Sequence, residues 1–304
     1  MTTDHASYPT GLRSTPTRHR ALRQRMAEPG IVVAPGCYDC ITARLVEVSG
    51  FDAAYVTGSG VSMSALGAPD MGALSFGEIL DRVRRICDAV SIPIIADADT
   101  GYGGPLNVIR TMREFERAGV SAVQLEDQEW PKKCGHEPGR KVASSKEMEQ
   151  RIRAAADARV DADVMIVART DAIASEGFEA ALERAARYRE AGADVLFVEA
   201  PKTREELGRV VTALPGIALM ANMVEGGKTP PLPAAELEAI GFALVIFPGG
   251  IVRALAHHAA GYYASLAANG TTEPFRNQML DFDGLNRVIG TPEMIALGKR
   301  YESP

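Results

Sequence analysis

Acidic residues recur immediately behind short apolar segments. Asp97 and Asp99 follow Ile92–Ala96, Glu126 follows Ala122–Leu125, and Glu199 follows Val195–Val198; Asp70 lies in the loop after Ala53–Val56. Brought to one mouth, these carboxylates carry more negative charge than a buried site tolerates without a cation. Oxygen donors with no histidine or thiol partner favour Mg²⁺ or Mn²⁺ over Zn²⁺. The alternative is that each carboxylate caps the helix that follows it, which is adequate for one or two of them. Arg169 follows Val164–Ala168 and Asn222 follows Ile217–Ala221, adding a guanidinium fork and an amide. Arginine grips a carboxylate with two parallel hydrogen bonds. It can also neutralise Glu199 or Asp171, and the two roles are compatible.

A second group lies on the polar stretch Lys132-Lys133-Cys134-Gly135-His136, which runs on through Arg140 and Lys141. Its glycine and proline punctuation predicts a mobile loop. Neighbouring cations favour the thiolate, so Cys134 is expected to have a lowered pKa. Other features read as structure. Cys37-Tyr38-Asp39-Cys40 has no second ligand pair at zinc spacing and is assigned to packing. Gly101-Tyr102-Gly103-Gly104 is a turn, His257-His258 lie on a solvated helix, Cys87 is core, and Trp130 packs at the root of the loop.

Eight short apolar runs must carry these groups: Ile31–Ala34, Ala53–Val56, Ile92–Ala96, Ala122–Leu125, Val164–Ala168, Val195–Val198, Ile217–Ala221 and Ala243–Phe247. Continuous runs of this length fit strands buried on both faces. Amphipathic stretches of helical period separate them, as in Phe76–Ala89 and Phe178–Ala191. A repeated joint, in which a helix ends at glycine and a strand begins two or three residues on, occurs at Gly50, Gly119, Gly192 and Gly241. Eight alternations predict an α/β fold of the (β/α)₈, TIM-barrel type, with an open doubly wound sheet as the alternative. In such a barrel the chemistry sits at the C-terminal ends of the strands, where the carboxylates fall. Residues 1–16 are expected to form a flexible arm and residues 17–304 a single barrel domain. Residues 274–304 form a surplus extension with helices at Phe275–Leu285 and Pro292–Tyr301, which cap the barrel or pack on a neighbouring subunit.

Composition agrees with a folded enzyme-sized chain. Its 304 residues are 46% hydrophobic and 24% charged, which excludes a disordered chain. A net charge of -6 argues against nucleic-acid binding and gives no reason to expect an anionic membrane partner. No apolar run nears the roughly 20 residues of a spanning helix, and the first twenty residues do not resemble a signal peptide. Four cysteines in a chain of this length point to free thiols and a cytoplasmic setting.

Five segments carry a resemblance to a known family: Tyr55-Val56-Thr57-Gly58-Ser59-Gly60, Asp97-Ala98-Asp99-Thr100-Gly101-Tyr102-Gly103, Gln124-Leu125-Glu126-Asp127-Gln128, the Lys132–His136 pentapeptide and Ala221–Gly227. Together they resemble the isocitrate lyase and phosphoenolpyruvate mutase superfamily over roughly residues 35–270. The resemblance implies a (β/α)₈ barrel, commonly a homotetramer with C-terminal helices exchanged between subunits. It also implies Mg²⁺ and an α-oxo or α-hydroxy carboxylate. Asp97 and Asp99 would bind the metal, with Asp70 and Glu126 holding its waters. Thr57, Gly58 and Ser59 would cradle the α-carboxylate. Gly135, His136, Arg169, Glu199, Asn222 and Arg253 would contact substrate. Cys134 would be the general acid, with Tyr55 taking part in deprotonation.

The cysteine loop places the chain nearest the superfamily's carbon–carbon lyases that act on 2-methylisocitrate and 2,3-dimethylmalate. The expected reaction cleaves a 2-hydroxydicarboxylate to pyruvate or a related 2-oxo acid plus a carboxylic acid. The alternatives are a carboxyphosphonoenolpyruvate phosphonomutase-like P–C bond enzyme and an oxaloacetate-type decarboxylase. Methylisocitrate lyases carry a further arginine in the C-terminal segment, where this chain reads Met279-Leu280-Asp281-Phe282-Asp283-Gly284. That favours a dicarboxylate over a tricarboxylate. A second departure is Cys37-Tyr38-Asp39-Cys40, where the family usually has Ala-Tyr-Asp-Ala.

Overall fold

The computed structural model describes residues 15–133 and 139–302. Eight parallel strands close into a barrel in sequence order. They are β1 (Val32–Cys37), β2 (Ala54–Val56), β3 (Ile94–Asp97), β4 (Ala122–Glu126), β5 (Met165–Thr170), β6 (Val195–Val198), β7 (Ala218–Asn222) and β8 (Leu244–Phe247). The pairing of Val32 with Leu244 and of Pro35 with Phe247 seals β1 to β8. The doubly wound alternative is thereby excluded. β1 runs three residues past the apolar run that announces it, because Pro35 and Gly36 read as a break. Gly36 is there for space: a Cβ would stand 2.4 Å from the Pro248 carbonyl oxygen.

Each strand is followed by helix in the right-handed βα order. The helices are α2 (Cys40–Val48), α3 (Gly58–Leu66), α4 (Phe76–Ala89), α5 (Pro105–Ala118), α6 (Ser145–Ala158), α7 (Phe178–Glu190), α8 (Arg204–Ala213), α9 (Ala234–Ile240) and α10 (Gly250–Asn269). In α4, Ile79, Val83, Ile86 and Cys87 fall on one buried stripe, and Ser75 with Glu78 forms a capping box at its start. The four glycine joints all have positive φ, from 82° at Gly50 to 118° at Gly241. One core layer, including Val83, Phe115, Ile152 and Tyr188, lies between strands and helices. A second fills the barrel with alternate strand residues such as Ala34, Tyr55, Ile95, Val167 and Phe197.

The bottom of the barrel is closed by α1 (Thr15–Ala27). Leu22 enters the barrel core at 1% exposure, a burial worth about 1.5–3 kcal/mol. Arg18 Nη1 donates to the carbonyls of Cys87 and Val90 at 2.6 and 3.2 Å, and His19 Nδ1 lies 2.9 Å from Asp161 Oδ2. The arm expected over residues 1–16 lies outside the described residues apart from its last two positions, which already belong to α1.

The tail differs from expectation in its first half. Residues 273–278 form a 3₁₀ turn, and α11 (Phe282–Ile289) begins only after Asp281, whose side chain caps it. α12 (Thr291–Lys299) follows. The capping aspartate breaks what the apolar spacing presents as one helix. None of the twenty residues of α10 is buried. Among the described residues no helix is long and apolar enough to cross a membrane.

Candidate active site

The strand ends converge on a cavity of about 70 Å³ at the C-terminal mouth. Its walls include Tyr55, Thr57, Ser59, Asp70, Asp97 and Glu126, and across from them Arg169, Glu199, Asn222 and Arg253. Period-two alternation explains part of the convergence: Asp97 and Asp99, and Gln124 and Glu126, lie two apart on adjacent strand ends. Asp99 has left a strand conformation for φ 49°, a region that aspartate tolerates better than most residues. Its N–H donates to Asp97 Oδ1 at 3.1 Å, and its carbonyl accepts from the Glu126 N–H at 2.9 Å.

The segment after β2 is a helix start, α3, which is not among the helices expected from the sequence. Gly58, Ser59 and Gly60 have no apolar periodicity, so α3 leaves no helical signature. Thr57 is its N-cap and accepts from the Gly60 N–H at 3.3 Å. The N–H groups of Gly58 and Ser59, in the first turn, have no intrahelical acceptor, which suits them to hold an anion. Gly58 lies so close to the acidic cluster that a Cβ would sit 3.0 Å from Asp97 Oδ2 and 3.4 Å from Asp99 Oδ1.

Lys132 is the buried counter-charge. Its Nζ donates to Asp70 Oδ2 at 2.7 Å and lies 2.5 Å from Asp99 Oδ1. Burial alone would lower the ammonium pKa, but Asp99, Asp97, Asp70 and Glu126 outweigh it and hold it well above the usual value. Burial pushes the Asp99 carboxyl up to about 7 despite Lys132. Glu126 is likewise raised by burial, against the pull of Arg169, and its Oε1 is buried with no hydrogen-bond partner among the described residues. Among the described residues no three histidine, cysteine or acidic side chains stand ready around one point to hold a metal. Asp70 and Asp99 face Lys132, and Glu126 faces Arg169 at 3.4 Å. The donor set nevertheless suits a hard divalent cation: all oxygen, buried, and with a spare oxygen on Glu126.

Tyr55 donates its phenol to Gln124 Oε1 at 3.0 Å, and Gln124 Nε2 donates to Asp97 Oδ1 at 3.1 Å. Burial, reinforced by Asp97, raises the phenol well above its ordinary pKa, so Tyr55 enters the site as a protonated donor. Arg169 lies between Glu126 and Glu199, with Nη2 3.5 Å from Glu199 Oε2 and the guanidinium stacked on Phe197 at 5.1 Å. Asn222 Nδ2 donates to the same Glu199 oxygen at 3.0 Å. Arg253, at the rim, donates to Glu225 Oε2 at 3.0 Å. Cys134, Gly135 and His136 lie outside the described residues.

Three contributors have roles the sequence does not announce, and a fourth, Asp171, is named there only as a possible partner of Arg169. Gln124 stands in a quoted segment and in register with Asp97, a signal that was available. In the sequence Lys132 stands out only as a neighbour of Cys134. Asp171 and Glu225 face the two arginines from positions that periodicity does not mark. Of the features assigned to structure, Cys37 and Cys87 are buried as expected, whereas Trp130 is 55% exposed.

Residues 22–267 match the family model described as phosphoenolpyruvate phosphomutase. The chain is 44% identical over 280 residues to 2,3-dimethylmalate lyase of Eubacterium barkeri, an alignment covering 92% of this chain and 96% of that protein. A crystal structure of 2,3-dimethylmalate lyase, described as a PEP mutase/isocitrate lyase superfamily member, superposes with a TM-score of 0.89 at 36% identity, covering 95% and 96% of the two chains. Phosphonopyruvate hydrolase in complex with oxalate and Mg²⁺ superposes with a TM-score of 0.84 at 30% identity, covering 93% and 99%. The barrel, its strand-end acids and these alignments over nearly the whole length make the chain a member of the phosphoenolpyruvate phosphomutase family, within the PEP mutase/isocitrate lyase superfamily.

Proposed function

We propose that the protein cleaves an alkyl-substituted malate to a 2-oxo acid and a carboxylic acid. The protein is a carbon–carbon lyase of its superfamily. The observation that carries the substrate reading is that the α3 N-terminus and the Arg169 fork line one cavity, two anion-binding groups for a substrate with two carboxylates. The 44% identity to 2,3-dimethylmalate lyase supports the same choice. The first-turn N–H groups of Gly58 and Ser59 hold one substrate carboxylate, and Arg169 takes the other with Asn222 beside it. The residues fit a divalent cation, Mg²⁺ with Mn²⁺ as a substitute, which Asp97 and Asp99 would hold, with Asp70 and Glu126 holding its waters. Bound there, such an ion balances the acidic cluster and acidifies a nearby hydroxyl.

A general base takes the proton of the substrate's 2-hydroxyl, that oxygen becomes the carbonyl of the 2-oxo acid, and the C2–C3 electron pair leaves with C3. Cys134 gives C3 a proton, completing the carboxylic acid. Tyr55 takes part in the deprotonation step as a protonated phenol whose hydrogen bond to Gln124, which in turn donates to Asp97, orders that side of the cavity. Thr57 fixes the entry of α3, and Ser59, Glu199, Gly135, His136 and Arg253 complete the substrate contacts.

The assembly we propose is a homotetramer with the tail packed on another subunit. Its support is the unburied α10 and the exposed apolar tail residues Leu280, Phe282, Met294 and Ile295. Three free thiols, Cys37, Cys40 and Cys87, support a cytoplasmic setting. The test is a pyruvate-coupled screen of malates substituted at C2 and C3, with phosphonopyruvate and oxaloacetate alongside, run with Mg²⁺ and with excess EDTA. Pyruvate from a substituted malate, abolished by chelator and by Asp97→Ala or Asp99→Ala, is expected. Turnover confined to phosphonopyruvate or oxaloacetate moves the protein to the alternative P–C or decarboxylase chemistry. Sedimentation at micromolar concentration decides the tetramer, which a monomer contradicts.

A further inference from the structure

Arg169 has two hydrogen-bonding edges, and only one can face substrate. Asp171 takes the other: its Oδ2 accepts from Arg169 Nε at 2.9 Å and its Oδ1 from Nη2 at 3.0 Å. The remaining Nη1/Nη2 edge turns toward Glu126 and Glu199, both walls of the cavity, at the looser separations of 3.4 and 3.5 Å. This difference in distance is the key. Two carboxylates in the wall compete for the guanidinium, and either would block the fork if the side chain swung onto it. The tighter bidentate pair with Asp171 keeps that from happening.

Asp171 is itself fixed. It is 1% exposed, and its N–H donates to Asp127 Oδ1 at 2.8 Å. Asp127 Oδ2 accepts from Thr170 Oγ1 and the Tyr188 hydroxyl, both at 2.7 Å, and from Arg184 Nη1 at 3.3 Å. The same Asp171 Oδ1 that serves Arg169 also accepts from Arg140 Nη1, whose side chain is 1% exposed. One buried carboxylate therefore joins the substrate-facing arginine to a second arginine on the segment leading into α6.

We propose that Asp171 is a positioning residue of the reaction: it holds the Nε edge of Arg169 and the guanidinium of Arg140 on one carboxylate, so that the Nη1/Nη2 fork, held only loosely by Glu126 and Glu199, is presented to a substrate carboxylate. This rests on the substrate reading above. Oxalate binding by calorimetry with Mg²⁺ present, and steady-state kinetics with 2,3-dimethylmalate, test it separately from that reading. Asp171→Asn keeps the shape and removes the charge. It is expected to raise both the oxalate Kd and the KM at least tenfold, with a smaller change in kcat. Arg140→Gln is expected to raise both at least threefold, and to add nothing in the double variant, because the two act through one group.

A purely structural role would lower Tm and leave Kd and KM of the folded enzyme unchanged. Values within twofold of wild type in Asp171→Asn, or additive effects in the double variant, overturn the proposal. If Asp171→Asn does not fold, the cycle of Arg140→Gln with Arg169→Lys decides: coupling of threefold or more is expected, and independent effects overturn it. Wild-type enzyme that binds oxalate but cleaves no malate sinks the substrate reading while the oxalate measurements still judge Asp171. Wild type that takes neither sinks both.

Discussion

Lys132 Nζ lies 2.5 Å from Asp99 Oδ1, with both side chains less than a tenth exposed. A protein ammonium thus neutralises part of an acidic cluster that suits a divalent cation, and in the proposed reading the two positive charges would share the same carboxylates. Replacing Lys132 by methionine leaves Asp70 and Asp99 buried without their cation. Breaking a buried pair in this way costs about 3–5 kcal/mol. Thermal unfolding of Lys132→Met in EDTA should show that loss, and added Mg²⁺ should raise its Tm by more than it raises that of wild type. Equal Mg²⁺ responses would mean that lysine and metal do not share the cluster.

Gly58 gives a sharper test of the helix start. A Cβ there would stand 3.0 Å from Asp97 Oδ2, closer than ordinary contact, and 3.4 Å from Asp99 Oδ1 and Lys132 Nζ. Its backbone does not need glycine, since Gly58 is the first residue of α3 and has no positive φ. Gly58→Ala should therefore fold with a Tm within a few degrees of wild type but lose roughly tenfold or more in kcat/KM, the order expected of a misplaced reacting group. A fully active alanine variant would show that α3 and the carboxylates do not need their present spacing.

These two residues also show where sequence reading reaches its limit. The barrel was legible because its signal is redundant: eight apolar runs, and four glycine joints that all take positive φ. The acids were legible because a known fold puts strand ends at one mouth. The helical character of Gly58–Leu66 was not, because its small residues carry no amphipathic stripe and its function depends on backbone N–H groups. Lys132 was flagged only as a neighbour of Cys134, since linear spacing does not reveal that a lysine reaches back to Asp70, 62 residues earlier. Asp171 was visible two residues from Arg169, but only the three-dimensional choice of edge separates simple neutralisation from positioning.

The bottom of the barrel should respond to acid. Burial would raise the Asp161 pKa, but the Asp163 N–H and His19 outweigh it and hold it below the usual value. A folded-state pKa that is depressed contributes stability above the unfolded value of about 3.9, and that contribution disappears as pH falls through the folded value. Urea midpoints measured from pH 6 down to pH 3 should fall for wild type and fall less steeply for Asp161→Asn, which has already lost the carboxylate. Parallel acid limbs for the two proteins would remove Asp161 from the account of how α1 is held.

The thiols divide by environment, and that division makes Cys134 testable. Burial pushes the Cys87 thiol up to about 12 although Arg18 opposes it, and raises Cys37 further; Cys40, half-buried, is raised too. At pH 8 these three are almost wholly thiol and should alkylate slowly. Cys134 has Lys133 and His136 as sequence neighbours, cations that speed alkylation through the minor thiolate form in equilibrium with the thiol that donates the proton. Iodoacetamide should therefore label Cys134 first, and the loss of activity should track that single modification by peptide mass spectrometry. Cys134→Ser should lose cleavage of 2,3-dimethylmalate by about 10²–10⁴-fold, the usual contribution of a general acid, while still binding oxalate. The same wild-type preparation tests substrate size. In the segment 279–284 no arginine is present, and Asp281 spends its Oδ1 on the Gly284 N–H at 2.6 Å to cap α11. The segment does not line the cavity, and without an arginine supplied to the site from elsewhere a third substrate carboxylate desolvated in it would lack a partner, at a cost of several kcal/mol. The kcat/KM for 2,3-dimethylmalate should therefore exceed that for 2-methylisocitrate by at least a hundredfold. A preference for the tricarboxylate would show that another cation reaches the site, and the tail of a neighbouring subunit would be the first place to look for it.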